Sequence, residues 1–256
     1  MRNIKLTIEY DGSNFCGWQY QPNSRSVQQE VEKALQKFLQ QEIRIVGAGR
    51  TDSGVHALGQ IACFRTEKSY ATEIIEKALN RFLSPDIRIL QVEEVPLAFN
   101  PRFDAVKRSY RYQIAKKRHA INRWYAWYCK YPLNLEKIRS ASHVLIGEHD
   151  FRSFCKGNSD ANHYRCTVES IIWSEMADLI RMEIVANRFL HNMVRIIVGT
   201  MIDVGRGLLT ENDVRRILEK KNRTMAGRTA PAKGLFLVEV IYPKQSYIKN
   251  FGGTKI

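Results

Sequence analysis

The stretch Gly47-Ala48-Gly49-Arg50-Thr51-Asp52-Ser53-Gly54-Val55-His56 sets a carboxylate beside a permanent cation and a titratable imidazole. A carboxylate in such company can serve as nucleophile or general base, and an arginine suits a phosphate or a paired carboxylate. The glycines permit tight turns and a close approach of backbone to a ligand. A purely structural hairpin, with Asp52 bonding its own backbone and Gly54 supplying an unusual φ, stays open on these residue types alone.

Two further stretches carry chemistry of a different kind. Arg102 to Arg118 interleaves Arg108, Arg111, Lys116 and Lys117 with Phe103, Tyr110 and Tyr112. Rings can stack on exposed bases while cations follow phosphates, although tyrosines packed in a core above a solvated basic face fit as well. Asn187 to Ile197 reads as a buried helix with one oddity, Arg195, whose charge among apolar residues needs a carboxylate or phosphate partner or a route to the surface. Trp124, Tyr125, Trp127 and Tyr128 read as core aromatics. His143, His149, Glu148 and Asp150 lack a familiar zinc spacing, and no metal site is expected. Neither a phosphate-binding Gly-x-x-x-x-Gly-Lys-Ser/Thr loop nor a Gly-x-Ser-x-Gly elbow occurs.

Charge narrows the partner. Lys and Arg number 40 against 26 Asp and Glu, a net charge of +14. That excess attracts polyanions and favours nucleic acid, with a merely basic enzyme or a protein that docks on anionic lipid as the alternatives. No apolar run suits a membrane span, and Met1 to Tyr10 lacks a signal-peptide core. Five cysteines without a Cys-x-x-Cys pair argue against a disulfide framework or zinc knuckle, and point to a cytoplasmic protein.

The elements that must position these residues alternate. Ile4, Leu6, Ile8 and Tyr10 predict a half-buried strand. Ser26 with Gln29 predicts a capping box for a helix ending near Leu39, its apolar face made by Val27, Val31, Leu35 and Phe38. Strands are expected at Ile43 to Val46 and Ile61 to Phe64, then a Thr72-capped helix carrying Ile75, Leu79 and Phe82, then a strand at Ile87 to Val95. A second round follows. It has strands at Ala105 to Ala115, Val168 to Trp173, Ile180 to Val185 and Leu235 to Ile241. Its helices are an Asn134-capped one through Ile146, Phe189 to Val204, and a short one capped by Thr210 with Asp213. This is an α+β pattern in two halves, divided as 1–100 and 101–245 with a polar tail at 246–256.

The three chemical stretches and the segments between them resemble the TruA family of tRNA pseudouridine synthases over nearly the whole chain. The resemblance rests on Glu9-Tyr10-Asp11-Gly12, Gly17-Trp18-Gln19, Ser26-Val27-Gln28, Ala48 to Ala57, Gly59-Gln60, Leu79-Asn80 and Pro85-Asp86-Ile87-Arg88. It continues through Tyr110-Arg111-Tyr112, Asp150-Phe151, Ser153-Phe154, Met193-Val194-Arg195, Thr229-Ala230-Pro231-Ala232 and Gly234-Leu235. It implies isomerisation of uridine to pseudouridine in the tRNA anticodon stem-loop, at positions 38, 39 and 40, with no metal or organic cofactor. It implies two ferredoxin-like halves with antiparallel sheets flanked by helices, an RNA-binding cleft, and a homodimer. By the same resemblance Asp52 is the catalytic nucleophile and Tyr110 contacts the target base. Arg195 is then the basic partner that keeps the carboxylate charged, and Arg50 and His56 help seat the RNA.

Three positions depart from the family pattern. Ser53 replaces a usual alanine, Arg228 a common proline, and Glu169 a frequent arginine. Two rival readings remain: a catalytically silent tRNA-binding protein or RNA chaperone, which would not need Asp52, and an RNA-cleaving enzyme using His56 as base.

Overall fold

Residues 1–157 and 163–243 are described by a computed structural model, so the polar tail expected at 246–256 lies outside the described residues. Ten strands and five α-helices occur among them. They divide into two compact units, the first comprising Met1–Ser53, Ala57–Val106 and 239–243, and the second Gly54–His56 with the described residues of Lys107–Val238.

In the first unit, β1 (Arg2–Tyr10) alternates as its sequence predicts, with Ile4, Leu6 and Ile8 wholly buried. It pairs antiparallel with both β3 (His56–Thr66) and β4 (Ile87–Val95), while the two-residue β2 (Val46–Gly47) pairs with β3. The strand order is therefore β4-β1-β3-β2. Helices α1 (Val27–Leu39) and α2 (Thr72–Phe82) bury Val27, Val31 and Leu35 and Ile75 and Leu79, respectively, at the spacing of one helical face. Asn80 of α2 pins β4 with a pair of bonds: its amide donates to the Ile89 carbonyl at 2.9 Å, and its Oδ1 accepts from the Ile89 N–H at 2.8 Å.

Several expectations need correction here. Ile43 to Ile45 form no strand, because the Ile45 N–H goes to the Glu32 carboxylate at 3.0 Å and its carbonyl accepts from Gln28. Side chains of α1 thus take the backbone groups that a neighbouring strand would need. Ser26 caps α1 through the Gln29 N–H, but α2 is preceded by Ala71 with no side-chain cap, and the Thr72 hydroxyl turns to Glu73. Phe82 is partly exposed, with the Lys37 ammonium over its ring.

The second unit runs from residues 235–238 of β10 (Leu235–Ile241) through β5 (Lys107–Ala115), β9 (Leu179–Ala186), β8 (Arg165–Met176) and β7 (Gly147–Asp150), with β6 (Trp127–Tyr128) parallel beside β5. Its helices are α3 (Leu135–His143), α4 (Met193–Gly205) and α5 (Glu211–Lys220). Thr210 caps α5 as the sequence predicts, and with Asp213 it forms a full capping box. Helix α4 begins four residues later than expected because Asn192 takes a left-handed backbone at φ 61. Helix α3 ends at His143 and not at Ile146, and Gly147 uses its φ of 104 to enter β7. Of the four aromatics expected in the core, Trp127 is buried, but Trp124 is 52% exposed and Tyr125 borders on exposed. Helix α4 is buried on nearly every side, so glycine replaces a side chain where the Arg228 carbonyl crosses it at Gly199.

All five cysteines are free, and only Cys16 is exposed. Burial pushes the Cys63 and Cys166 thiols up to about 12, leaving both protonated at neutral pH. A thiol reagent at pH 8 should therefore modify Cys16 rapidly and the other four only after denaturation. A second fast-reacting thiol would contradict that burial.

No helix among the described residues is long and apolar enough to cross a membrane.

Candidate active site

Asp52 sits partly exposed in the loop between β2 and β3, and its neighbours are held from several directions. Thr51 is buried. Its hydroxyl meets Tyr10 Oη at 2.7 Å, and its carbonyl accepts the Trp18 N–H at 3.1 Å. Ser53 Oγ donates to the Phe15 carbonyl at 3.2 Å. At the start of the loop, buried Gln60 donates to the Gly49 carbonyl at 3.0 Å, and its Oε1 accepts from the Ile61 N–H. These contacts brace the residues on either side of Asp52, and Gly54 takes the positive φ of 75 that a tight turn there requires.

The brace is built from the early motif residues. Gly17, at φ 97, lies so close beneath the loop that an added Cβ would stand 2.6 Å from the Thr51 oxygen. Val27 and Gln28, at the start of α1, donate to the Gly17 and Trp18 carbonyls and tie that segment to the helix. The Trp18 indole lies against Gly47, where a Cβ would meet Nε1 at 2.5 Å. Arg50 is exposed beside this framework.

The remaining predicted residues belong to the second unit. His56 is only 1% exposed, its ring stacked on Phe236 at 4.7 Å and tilted against Tyr125 at 5.3 Å. Its Nε2 lies 3.3 Å from the Lys233 carbonyl, and Val55 enters the hydrophobic core just before it. Sequence reading had no signal for this burial.

Tyr110 lies on β5 opposite Ile184 of β9, partly buried, its ring edge-on to Phe189 at 5.0 Å. Two residues on, Tyr112 is wholly buried and donates to the Pro231 carbonyl at 2.7 Å. Burial pushes its phenol well above the ordinary value, with Arg195 and Arg228 pulling the other way, so it remains a neutral donor. Between them Arg111 pairs with Glu183, its register partner on β9.

Arg195 occupies the first turn of α4 and is partly buried. Its Nε donates to the Ala230 carbonyl and its Nη1 to Asn192 Oδ1, each at 2.7 Å. The Ala230 N–H returns a bond to the Arg195 carbonyl at 3.0 Å, fastening the 229–232 segment to the helix. Asn192, Gly17 and Gln60 were not singled out as site residues from the sequence, since their importance lies in contacts and not in residue type.

A model of the family described as tRNA pseudouridine synthase matches residues 6–104 and 141–243. The chain belongs to that family. Proteins named tRNA pseudouridine synthase A are similar along almost all of it. Those of Thermoanaerobacter sp. strain X514 and Caldicellulosiruptor bescii are 43% and 44% identical over 244 residues, covering 94% of this chain and 100% of theirs. That of Bacillus licheniformis is 44% identical over 243 residues, covering 93% of this chain and 98% of its own. This protein is thus an enzyme that isomerises uridine in tRNA.

Ser53, Arg228 and Glu169, the three positions expected to depart from the family pattern, each have a local partner. Ser53 adds the bond to Phe15 already described. Arg228 lays its guanidinium over the Trp127 ring at 4.7 Å. Glu169 pairs with Lys107 at 2.6 Å, so the reversed charge meets a matching partner.

Proposed function

We propose that this synthase modifies uridines 38, 39 and 40 of the anticodon stem-loop, with Asp52 as its nucleophile. The observation that carries the reading is the mounting of Asp52, a partly exposed carboxylate between two residues whose own polar groups are tied down. Fixed neighbours and an accessible carboxylate are what nucleophilic catalysis requires, because little reorganisation is left for the reaction itself.

The chemistry is a balanced rearrangement. The bond from N1 of uracil to the ribose breaks while Asp52 carries a covalent bond to the nucleotide. The ring turns, C5 joins the ribose, the bond to Asp52 breaks with its electron pair returning to the carboxylate, the C5 proton is lost and N1 gains one. The target nucleotide leaves its stack first, since a stacked uridine hides this bond. Tyr110, steadied by Phe189, contacts the flipped base, and Arg195 supplies the cation. Exposed Arg50 meets phosphate, whereas His56 serves the RNA indirectly by anchoring its end of the loop. The net charge of +14 supports a polyanionic substrate.

The strand order β4-β1-β3-β2, with a helix after β1 and another after β3, supports a ferredoxin-like reading of the first unit. The order β10-β5-β9-β8 supports the same reading of the second. A cytoplasmic homodimer follows from the family resemblance.

Incubation with unmodified tRNA, followed by mapping of pseudouridine at nucleotide resolution, tests the proposed positions. Product should be confined to the anticodon arm. Modification confined to another arm would overturn the site assignment while leaving the family unaffected.

A further inference from the structure

We infer that Asn192 is a positioning residue for uridine isomerisation, acting by orienting the Arg195 guanidinium; the inference rests on the role given to Arg195 above. An asparagine just before a helix ordinarily adopts extended backbone and caps the first turn by accepting an N–H. Asn192 does neither. Its backbone is left-handed, at φ 61 and ψ 7, and its side chain caps no helix N–H. The side-chain oxygen instead accepts from Arg195 Nη1 at 2.7 Å, one turn along α4, in a position only 8% exposed.

Arg195 therefore has two of its donors on acceptors from different segments, Nε on Ala230 and Nη1 on Asn192. A guanidinium is planar, so two anchored donors fix both its location and the tilt of its plane. Both acceptors are themselves held. The Ala230 N–H is bonded to the Arg195 carbonyl, the Asn192 carbonyl accepts from the Ile196 N–H at 3.0 Å, and the Met193 N–H donates to Leu190 at 3.0 Å. A cation fixed before substrate arrives spares the reaction the cost of ordering it. The residue type fits both demands at this position. Asparagine tolerates left-handed backbone better than most side chains and also brings an oxygen acceptor. Glycine meets only the first demand.

That difference supplies the test. Asn192→Gly keeps the backbone and deletes the acceptor. In single-turnover assays with excess enzyme, it should lower the rate about tenfold or more, a size typical of coupled neighbours. Affinity for tRNA should stay within about twofold and the thermal midpoint near that of the native protein. In an Arg195→Lys background, where no Nη1 exists to be held, Asn192→Gly should add no further loss. A native rate in Asn192→Gly, or the same fractional loss in both backgrounds, would overturn the inference. Arg195→Lys at the native rate would remove the reading of Arg195 and this inference with it. An impaired Arg195→Lys alongside an unaffected Asn192→Gly would remove this inference alone.

Discussion

Asp52→Asn should abolish pseudouridine formation, by roughly 10^4-fold or more, while the protein stays folded and still binds tRNA. The magnitude follows from what deleting a nucleophile costs in enzymes whose catalytic groups act as a unit. Asparagine keeps the shape of the side chain, so the Tyr10, Trp18 and Phe15 contacts that hold Thr51 and Ser53 have no reason to change. Removing a negative charge should not weaken attraction to a polyanion. Isomerisation expels the C5 proton, so release of tritium from tRNA labelled at uridine C5 reads the reaction directly. A variant releasing tritium within about tenfold of the native rate would sink the assignment of Asp52. Loss of activity accompanied by a large fall in thermal midpoint would point instead to a structural role, and the unchanged affinity expected here separates the two.

Much of the scaffold was legible because its pattern is local. The alternation of Ile4, Leu6 and Ile8, the helical spacing of Val27, Val31 and Leu35, and the Thr210 cap of α5 each sit within one element, and each is found as read. What was misread depends on partners distant in sequence. Ile43 to Ile45 look like a strand by composition, but Glu32 and Gln28 of α1 take two of their backbone hydrogen bonds. Phe189 to Asn192 look helical by apolarity, yet the left-handed backbone at Asn192 delays α4. The motif marked Asp52 as chemically interesting, but what holds its neighbour Thr51 comes from Tyr10 and Trp18, with Gly17 packed close beneath, more than thirty residues earlier in the chain. His56 shows the opposite case, since its residue type marks it as titratable beside the aspartate but carries no sign that its ring packs against Phe236 and Tyr125.

That dependence on Gly17 leads to the second large effect. Gly17→Ala should cut turnover by about 100-fold, although the substitution lies outside the catalytic loop and adds one methyl group. At φ 97 an alanine is strained whatever the space, and here there is none. Its Cβ would stand 2.6 Å from the Thr51 oxygen and 3.2 Å from both the Asp52 carbonyl carbon and the Ser53 nitrogen. Those are backbone atoms, so no rotamer change relieves the contact, and the loop or the Gly17 segment must move. The Gly17 segment resists, because Val27 donates to its carbonyl from the first turn of α1. The loop therefore gives way, and a displacement near 1 Å at a reacting group typically costs about 100-fold. Gly207→Ala is the control. It carries a comparable φ of 76, but its Cβ would meet nothing within 4 Å, so it incurs the backbone strain without touching the loop. Both variants should lose thermal stability, and only Gly17→Ala should lose turnover. Equal turnover in the two would mean that the loop absorbs the methyl without moving Asp52, and that the close approach at Gly17 serves folding alone.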